Sequence, residues 1–450
     1  MNELSPTSSK FQNCVAVIGL GYAGLPLAVG FGQHVKTIGF DIDPARISQL
    51  RQGNDRNNEL SPEQIIARGV SYSSDATDLA QANIFIVVVP TPVDVEKQPD
   101  LRYLLDASRI VGEALRTRFQ ADGVQELEPI VIFESSVYPG CTEEICIPAL
   151  EKESGLKAGR NFRVGYSPER FNPGDSLHGV TEVVKIVSAQ DAATLDRIAD
   201  LYGLLVKAGI YRAPDIVTAE ATKLVENVQR DVNIALMNEM ALLFHRIGVE
   251  SHEVLKAMQT KWNSLPFGPG LVGGECIPVN PYYLMHKAAS VSFDPAIVRA
   301  SRSINAWMGN FVADQVTELV EKSIANVKRA DILVLGATFK EDVPDLRGSL
   351  VMDIVDQLKK YGANVFVYDP IADPLKLIEA SMNVVEDPFV SSKSYDAVII
   401  AVPHKGFIKL PNETFIKLLA KENGARVMAD VRGKLDWDSN NYDGVSYWRL

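Results

Sequence analysis

The segment CVAVIGLGYAGLPLAVGFG, residues 14–32, restricts the fold more than any other stretch of the chain. An apolar, strand-patterned run at 14–18 meets Gly19, Gly21 and Gly24 in G-x-G-x-x-G spacing, and a helix-like LPLAVGF follows. A second strand, VKTIGF, ends at Asp41. Strand, glycine turn, helix, strand and terminal acid together make a βαβ unit of a parallel sheet, with the turn placed to take a pyrophosphate. The glycines let the backbone approach that group, and the helix amino end offers unpaired N–H donors and a positive dipole end. Asp41 can accept ribose hydroxyls and would repel a 2′-phosphate, so the expected dinucleotide is NAD. Tyr22 and Ala23 within the turn and Arg46 beyond the acid join the expected cofactor contacts. Pro26 falls in the first helical turn, where proline is tolerated. The competing reading, a Rossmann-like domain that has lost its ligand, is disfavoured by the strands that follow.

NIFIVVVPTPVD (83–94), EPIVIFESSVYPG (128–140) and FRVGYSPERFNPGD (162–175) each run from an apolar strand into a polar, proline- or glycine-rich loop. In open α/β sheets ligands bind beyond the carboxyl ends of such strands. Pro90, Thr91, Glu134, Ser135 and Ser136 are therefore expected around the nicotinamide end of the cofactor. Residues 182–188 and 206–211 read as the last strands of this domain. A chain of 450 residues exceeds the size at which single cores stop growing. The expected fold class is α/β: two Rossmann-like parallel-sheet domains joined by a central all-helical domain with a long connecting helix. The expected boundaries are 1–212, 213–310 and 311–450.

Asp215 is placed to cap a helix that continues to Gly248. On it Lys223 and Asn227 are four apart and share a face; a solvated helix edge is the plainer reading of that pair. Next comes PGLVGGECIPVNP, residues 269–281, which sets Cys276 among glycines and prolines. Such a loop holds a thiol at a fixed point with little crowding, and a thiolate near a lysine attacks carbonyls well. A structural turn is the alternative, but a turn needs no cysteine. Residues 327–370 repeat the opening architecture loosely: DILVLG, a polar turn, an amphipathic helix, then NVFVYDP ending in Asp369. YDAVIIAVPH and RVMADVRG supply two more strands. Gly336 is followed by Phe339 and Lys340 without a second G-x-G-x-x-G, so an anionic nucleotide or phosphate is expected here, met by Lys340, Arg347 and Arg432.

A net charge of −12 argues against nucleic acid, which needs clustered cations. The polar opening MNELSPTSSK reads as a short tail, and no apolar run approaches the length of a spanning helix, so no membrane insertion is expected. The cysteines at 14, 141, 146 and 276 lack paired metal-ligand spacing, and no metal is expected. Cys14, Cys141 and Cys146 read as packing residues, and a reducing, cytoplasmic setting fits all four. Histidines at 34, 178, 245, 252, 286 and 404 are scattered and read as structural or surface groups.

Over residues 12–440 the chain resembles the UDP-glucose/GDP-mannose dehydrogenase family. The likeness is carried by GLGYAGLPLA, VPTPV, ESSVYPG, SPERFNPG, TKLVENVQRDVNIALMNE, GPGLVGGECIPVNPYYL and GATFKEDVPDLRGS, in that order. The resemblance implies an NAD-binding domain, a central helical domain that forms homodimers or larger even assemblies, and a UDP-binding domain. It also implies oxidation of a sugar C6 alcohol to a carboxylate with two NAD reduced. In that chemistry Cys276 is the nucleophile, Lys223 and Asn227 stabilise an oxyanion and a water, and Glu169 assists water and proton movement. Arg170, Phe171, Lys223, Asn227, Phe267, Gly270, Gly273, Phe339, Lys340 and Arg347 are the implied substrate contacts.

Two positions depart from the family pattern. Asn280 stands where the family has Asp, and it can hydrogen-bond but carries no charge. Glu275 precedes the cysteine where the branch oxidising N-acetylated hexosamines often has His. It would raise the thiol pKa if it faced Cys276, and would be harmless facing solvent. SPER, PGLVGG and PYYL resemble that same branch, so UDP-N-acetylglucosamine or UDP-N-acetylgalactosamine is the expected substrate, with the manno epimer next. UDP-glucose is the main alternative. A two-electron hydroxyacid dehydrogenase and a catalytically silent nucleotide-sugar sensor are the readings from other classes. The implied role is supply of uronic-acid precursors for surface polysaccharide.

Overall fold

The computed structural model describes residues 14–66, 69–122, 128–170, 179–324, 326–421, 423–437, 442 and 444–450. The described residues pack as two units. The first runs to Glu226 and regains Tyr282–Phe293; the second holds Asn227–Pro281 and Asp294–Leu450. An α/β architecture with a parallel-strand sheet in each unit and a helical central region agrees with the expected fold class.

The first unit is built on an eight-stranded sheet. Its strands are β1 (Cys14–Ile18), β2 (Lys36–Phe40), β3 (Val70–Ser73), β4 (Ile84–Val87), β5 (Ile130–Phe133), β6 (Arg163–Tyr166), β7 (Lys185–Ala189) and β8 (Ile210–Arg212). The spatial order is β3-β2-β1-β4-β5-β6-β7-β8. All neighbours are parallel except β6 and β7, which are antiparallel. β1, β4 and β5 are buried along their whole lengths. Strands covered on both faces by helices read as continuous apolar runs, which is why CVAVI, IFIV and IVIF show no alternation. The helix Gly24–Gly32 and the helix Ala192–Gly203 supply Leu25, Ala28, Phe31, Ile198 and Leu201 to the core over this sheet. Strand order reverses between β1 and β4, so the switch-point crevice opens where the glycine turn leaves β1.

The second unit repeats the principle with β9 (Asp331–Leu335), β10 (Asn364–Tyr368), β11 (Ala397–Ile400), β12 (Val427–Asp430) and β13 (Ser446–Arg449), ordered β10-β9-β11-β12-β13 and parallel throughout. Met308, Val312, Val316 and Val320 of the helix Ala296–Ile324 enter its core with Ile332, Val334, Val365 and Ile399.

The long helix expected after Asp215 spans Ile216–Ile247, 32 residues. Its first free N–H groups are met by the Asp215 carboxylate, which accepts from Thr218 N at 2.6 Å. It stops at Gly248, whose φ of +72° is a left-handed stop. No helix among the described residues is long and apolar enough to cross a membrane.

Candidate functional site

In the first unit the glycine turn shows what each glycine does. Gly19 has φ +96°, and a Cβ there would lie 2.4 Å from Val88 O, in the chain just past β4. A Cβ on Gly24 would lie 1.8 Å from Gly19 O, so only glycine lets the helix start directly on the turn. Gly21 has nothing within 4 Å of its would-be Cβ, which leaves an open cradle over the turn. The helix Gly24–Gly32 has no side-chain cap at Ala23, whereas the helices Pro44–Arg51 and Ala192–Gly203 are capped by Asp43 and Asp191. Its amino end therefore keeps donors for an anion. Asp41 is fixed at the end of β2: Oδ2 accepts from Leu20 N at 2.9 Å and Oδ1 from Asp43 N at 3.0 Å. Each oxygen retains a lone pair, so this set fits a pyrophosphate and a ribose.

Arg46 takes a different place from the one expected of a cofactor contact. It is fully buried, its Nε donates to Leu20 O at 3.0 Å and its Nη2 pairs with Asp55 at 2.8 Å. Its guanidinium holds the turn's backbone from inside the domain. Tyr22 and Ala23 are half-buried on the turn, and Pro90 is exposed beyond β4.

The loops after β4 and β5 are stapled together. Thr91 Oγ1 donates to Ser136 O at 2.7 Å, while Ser135 Oγ donates to Val89 O at 2.7 Å and accepts from Val89 N at 3.0 Å. Glu134 is buried. Lys185 Nζ donates to its Oε2 at 2.6 Å, and the Tyr202 hydroxyl donates to its Oε1. Burial, then the Glu134 charge, pushes the Tyr202 hydroxyl well up. The Glu134–Lys185 pair lines a cavity of about 30 Å³ with Ala23, Glu169 and Arg170.

Glu169 meets the long helix. Lys223, 5% exposed, places Nζ 3.2 Å from Glu169 Oε2 and donates to Glu169 O. Arg170 is held by Glu226 at 2.6 Å and by Val184 O at 2.7 Å. The same helix carries an acid that the sequence reading missed. Glu220 is fully buried and accepts from Gly140 N at 2.6 Å and Thr142 N at 2.8 Å, tying the loop after β5 to the helix bearing Lys223. Its only sequence signal is an acid one helical turn before Lys223. Phe171 lies outside the described residues.

In the second unit Cys276 is exposed, whereas Cys14, Cys141 and Cys146 are buried. The glycines before it are imposed by close packing. A Cβ on Gly270 would lie 2.9 Å from Arg432 Cδ, one on Gly273 2.9 Å from Gly348 O, and one on Gly274 2.8 Å from the Phe339 ring. Asn280 N donates to Cys276 O at 3.0 Å, closing a turn behind the thiol. Asn227 and Asn280 are buried, and the Nδ2 of each has no partner among the described residues. Buried donors of this kind carry a desolvation cost that a bound oxygen would relieve. Phe267 is half-buried in the chain leading to the glycines.

Beyond β9, Gly336 repeats the geometry of Gly19: φ is +84°, and a Cβ would lie 2.6 Å from Val402 O. Phe339 and Lys340 follow and line a cavity of about 20 Å³ with Thr338, Gly273 and Arg432. Asp369, at the end of β10, corresponds in position to Asp41 but is spent internally. It accepts from Ala337 N at 2.6 Å, Ile371 N at 2.8 Å and Ala372 N at 2.9 Å, and His404 Nε2 lies 3.1 Å from Oδ2. Burial opposes its charge, but the His404 contact and the backbone N–H groups win and hold the carboxyl at about 2. Arg347, expected to meet an anion, lies 2.6 Å from Asp345 and 2.7 Å from Glu275 in ion pairs. Glu275 therefore faces a guanidinium. Burial pushes its carboxyl up, and Arg347 pulls it back.

Residues 13–206 match the NAD binding domain of the UDP-glucose/GDP-mannose dehydrogenase family, 217–307 its central domain and 333–436 its UDP binding domain. Protein CapL of Staphylococcus aureus is 44% identical over 444 residues, covering 97% of this chain and 99% of CapL. The UDP-N-acetyl-D-glucosamine 6-dehydrogenase of Pseudomonas aeruginosa is 44% identical over 429 residues, covering 95% of this chain and 98% of that one. Among solved structures, the UDP-N-acetyl-mannosamine dehydrogenase of Pyrococcus horikoshii superposes with a TM-score of 0.85 at 29% identity, over 97% of this chain and 99% of its own.

Proposed function

The chain belongs to the UDP-glucose/GDP-mannose dehydrogenase family, and from that premise we propose that it oxidises C6 of UDP-N-acetyl-D-glucosamine to the uronic acid. It is an NAD-dependent nucleotide-sugar 6-dehydrogenase. The observation that carries the reaction class is Cys276, exposed at the end of a glycine run packed on the Phe339–Gly348 loop, where Lys340 and Arg432 offer cations to a diphosphate. The sugar assignment rests on the relatives named above.

Gly19, Gly21, Gly24 and the uncapped helix behind them would hold the NAD pyrophosphate, and Asp41 the adenosine ribose. Each of two successive NAD molecules, when bound, would accept one hydride, one at each of two oxidations. At the first, C6 loses a hydride, its hydroxyl proton passes to water, and it becomes an aldehyde. The Cys276 thiolate then adds to C6, giving a thiohemiacetal whose oxygen carries the electron pair of the former carbonyl. Lys223 and Asn227 stabilise that oxyanion by charge and by an amide donor. Loss of the second hydride leaves a thioester on Sγ. Water adds to it, Glu169 takes one of its protons, the C–S bond breaks to release the thiolate, and the new carboxyl group gives its remaining proton to solvent as it leaves as carboxylate. Asn280 contributes an amide donor where the family has an acid, so it can hold water but cannot take up its proton. We place the chain as a homodimer, a reading supported by exposed Leu236, Leu243 and Ile247 on one face of the long helix, and in a reducing cytoplasm, which suits its four free cysteines.

Counting NADH per sugar over a panel of UDP-hexoses tests the proposal. Two per molecule of UDP-N-acetylglucosamine is the expected result. One would mean simple alcohol oxidation and none a sensor, and either outcome sinks the reading. Cys276→Ser is expected to lower acid formation by about a thousandfold or more, the scale seen when a covalent nucleophile is removed.

A further inference from the structure

The long helix and the helix Ala296–Ile324 meet, within the second unit, through a row of buried polar side chains as well as through the His245–Phe311 ring contact. Asp231, Asn238 and Asn305 are 0% exposed and Arg302 5%. Asp231 Oδ1 accepts from Arg302 Nη1 at 2.6 Å and from Asn305 Nδ2 at 2.7 Å, and its Oδ2 from Ser301 Oγ at 3.2 Å. With its Nδ2 turned to the carboxylate, Asn305 presents Oδ1 to Asn238, whose Nδ2 donates to it at 2.8 Å. That contact is a third restraint on the way the Asn238 amide faces. Its Nδ2 also donates to Gly270 O at 3.1 Å, and its Oδ1 accepts from Gly270 N at 2.8 Å. The side-chain amide thus pairs with both backbone polar groups of one glycine.

A buried ion pair with amides is a costly way to join two helices, since well-packed apolar residues do so at equal or better stability. The row is therefore hard to explain by stability alone, and it ends on the chain that leads to Cys276. Gly270 packs on Arg432, and Gly273 and Gly274 on Phe339 and Gly348. A shift at Gly270 would be transmitted to the groups lining the cavity beyond β9.

We propose that Asn238 is a positioning residue for the nucleotide end of the substrate: its paired hydrogen bonds to Gly270 set the glycine run against Arg432 and Phe339, and Asp231 and Asn305 fix the orientation of its amide. The inference rests on the assignment of that cavity to the nucleotide diphosphate. Asn238 touches neither substrate nor thiol, so its effect appears in binding on the nucleotide side, and NAD binding is unchanged.

The test uses the full-length protein, with UDP and NAD titrated separately by calorimetry, melting temperature recorded, and kcat and KM measured for UDP-N-acetylglucosamine. Asn238→Ala is expected to weaken UDP binding and raise the sugar KM by about tenfold, as for the loss of two ordinary hydrogen bonds, with NAD affinity unchanged. Asn305→Ala keeps the clamp but removes one of the three hydrogen bonds that hold its amide, and a smaller change in the same direction is expected. A lower melting temperature with unchanged UDP affinity and KM would make Asn238 merely structural and overturn the proposal. If Asn238→Ala does not fold, Asn305→Ala decides alone: weaker UDP binding with NAD intact supports the proposal, and no change overturns it. Failure of the function assignment reads differently, because the unaltered protein would then bind UDP yet reduce no NAD with any UDP-sugar, or bind no UDP at all.

Discussion

Glu220 sits in the core of the first unit with no cation among the groups that shift it. Burial pushes its carboxyl from 4.5 up to about 7, against the hydrogen bonds from Thr142 and Gly140 that favour the ionised form. The unfolded chain gives up this proton near pH 4.5, and the native protein holds it until about 7, so between those values the native state binds more protons. The stabilising contribution is complete below pH 4.5, declines as pH rises, and is lost by about 7; from this group it amounts to about 3 kcal/mol. Glu220→Gln keeps one acceptor for the two N–H groups and removes the titration. In urea titrations the unfolding free energy of the unaltered protein is expected to fall relative to that of Glu220→Gln by about this amount between pH 4.5 and 7. Parallel pH dependence of the two proteins would contradict the assignment. Arg46 makes the complementary point about buried charge: with Asp55 and Leu20 O as partners, its guanidinium is used to shape the turn.

The strand–turn–helix at 14–32 separates two kinds of glycine that look alike in sequence. Gly24→Ala puts a methyl carbon 1.8 Å from Gly19 O, so the helix must move; a loss of about 3 kcal/mol with loss of NAD binding is expected. Gly21→Ala meets nothing within 4 Å, so melting is expected to stay near that of the parent while the methyl fills the cradle and NAD binding weakens. Melting curves alongside NAD titrations distinguish the two, and equal destabilisation by both would refute the distinction. This element was legible because its chemistry is local: positive φ, close backbone approach and an acid at the next strand end all leave marks within one short segment. The same holds for Asp215 as a cap, whereas the glycines before Cys276 were visible only as a pattern, their cause being close packing on Phe339, Gly348 and Arg432. Glu220 and Asn238 were not legible, because what defines each is a backbone partner 80 or 32 residues away. Arg347 was legible as a cation, but its partners Asp345 and Glu275 were not, since ion pairing depends on how two loops meet. β3 and β13 escaped notice because VSYS and SYWR are short and only partly buried, with no apolar run to mark them.

At the scale of the whole molecule, each unit carries its own sheet and its own buried core, and the chain passes between them more than once. Tyr282–Phe293 belongs with the first unit: Tyr283 donates to Pro92 O at 3.1 Å and Lys287 pairs with Glu144 at 2.7 Å. The long helix buries Ile216, Ala219, Leu224, Val228, Ala235 and Ala241, yet Leu236, Leu243 and Ile247 stay 49%, 46% and 60% exposed. Spaced seven and four apart, they share one helical face, and clustered apolar exposure of this kind marks an association surface. A net charge of −12 opposes self-association through long-range repulsion, so in the proposed dimer the apolar stripe has to supply the attraction, and added salt is expected to strengthen that dimer by screening. Leu243→Glu combined with Ile247→Glu places carboxylates on both sides of a two-fold contact. Because neither side chain belongs to a core, the variant is expected to keep its helical circular dichroism and its NAD affinity while sedimenting as a monomer at concentrations where the parent is a dimer. A variant that still sediments with its parent, or a parent that is itself monomeric at high salt, would show that this stripe is covered by something other than a second copy of the chain.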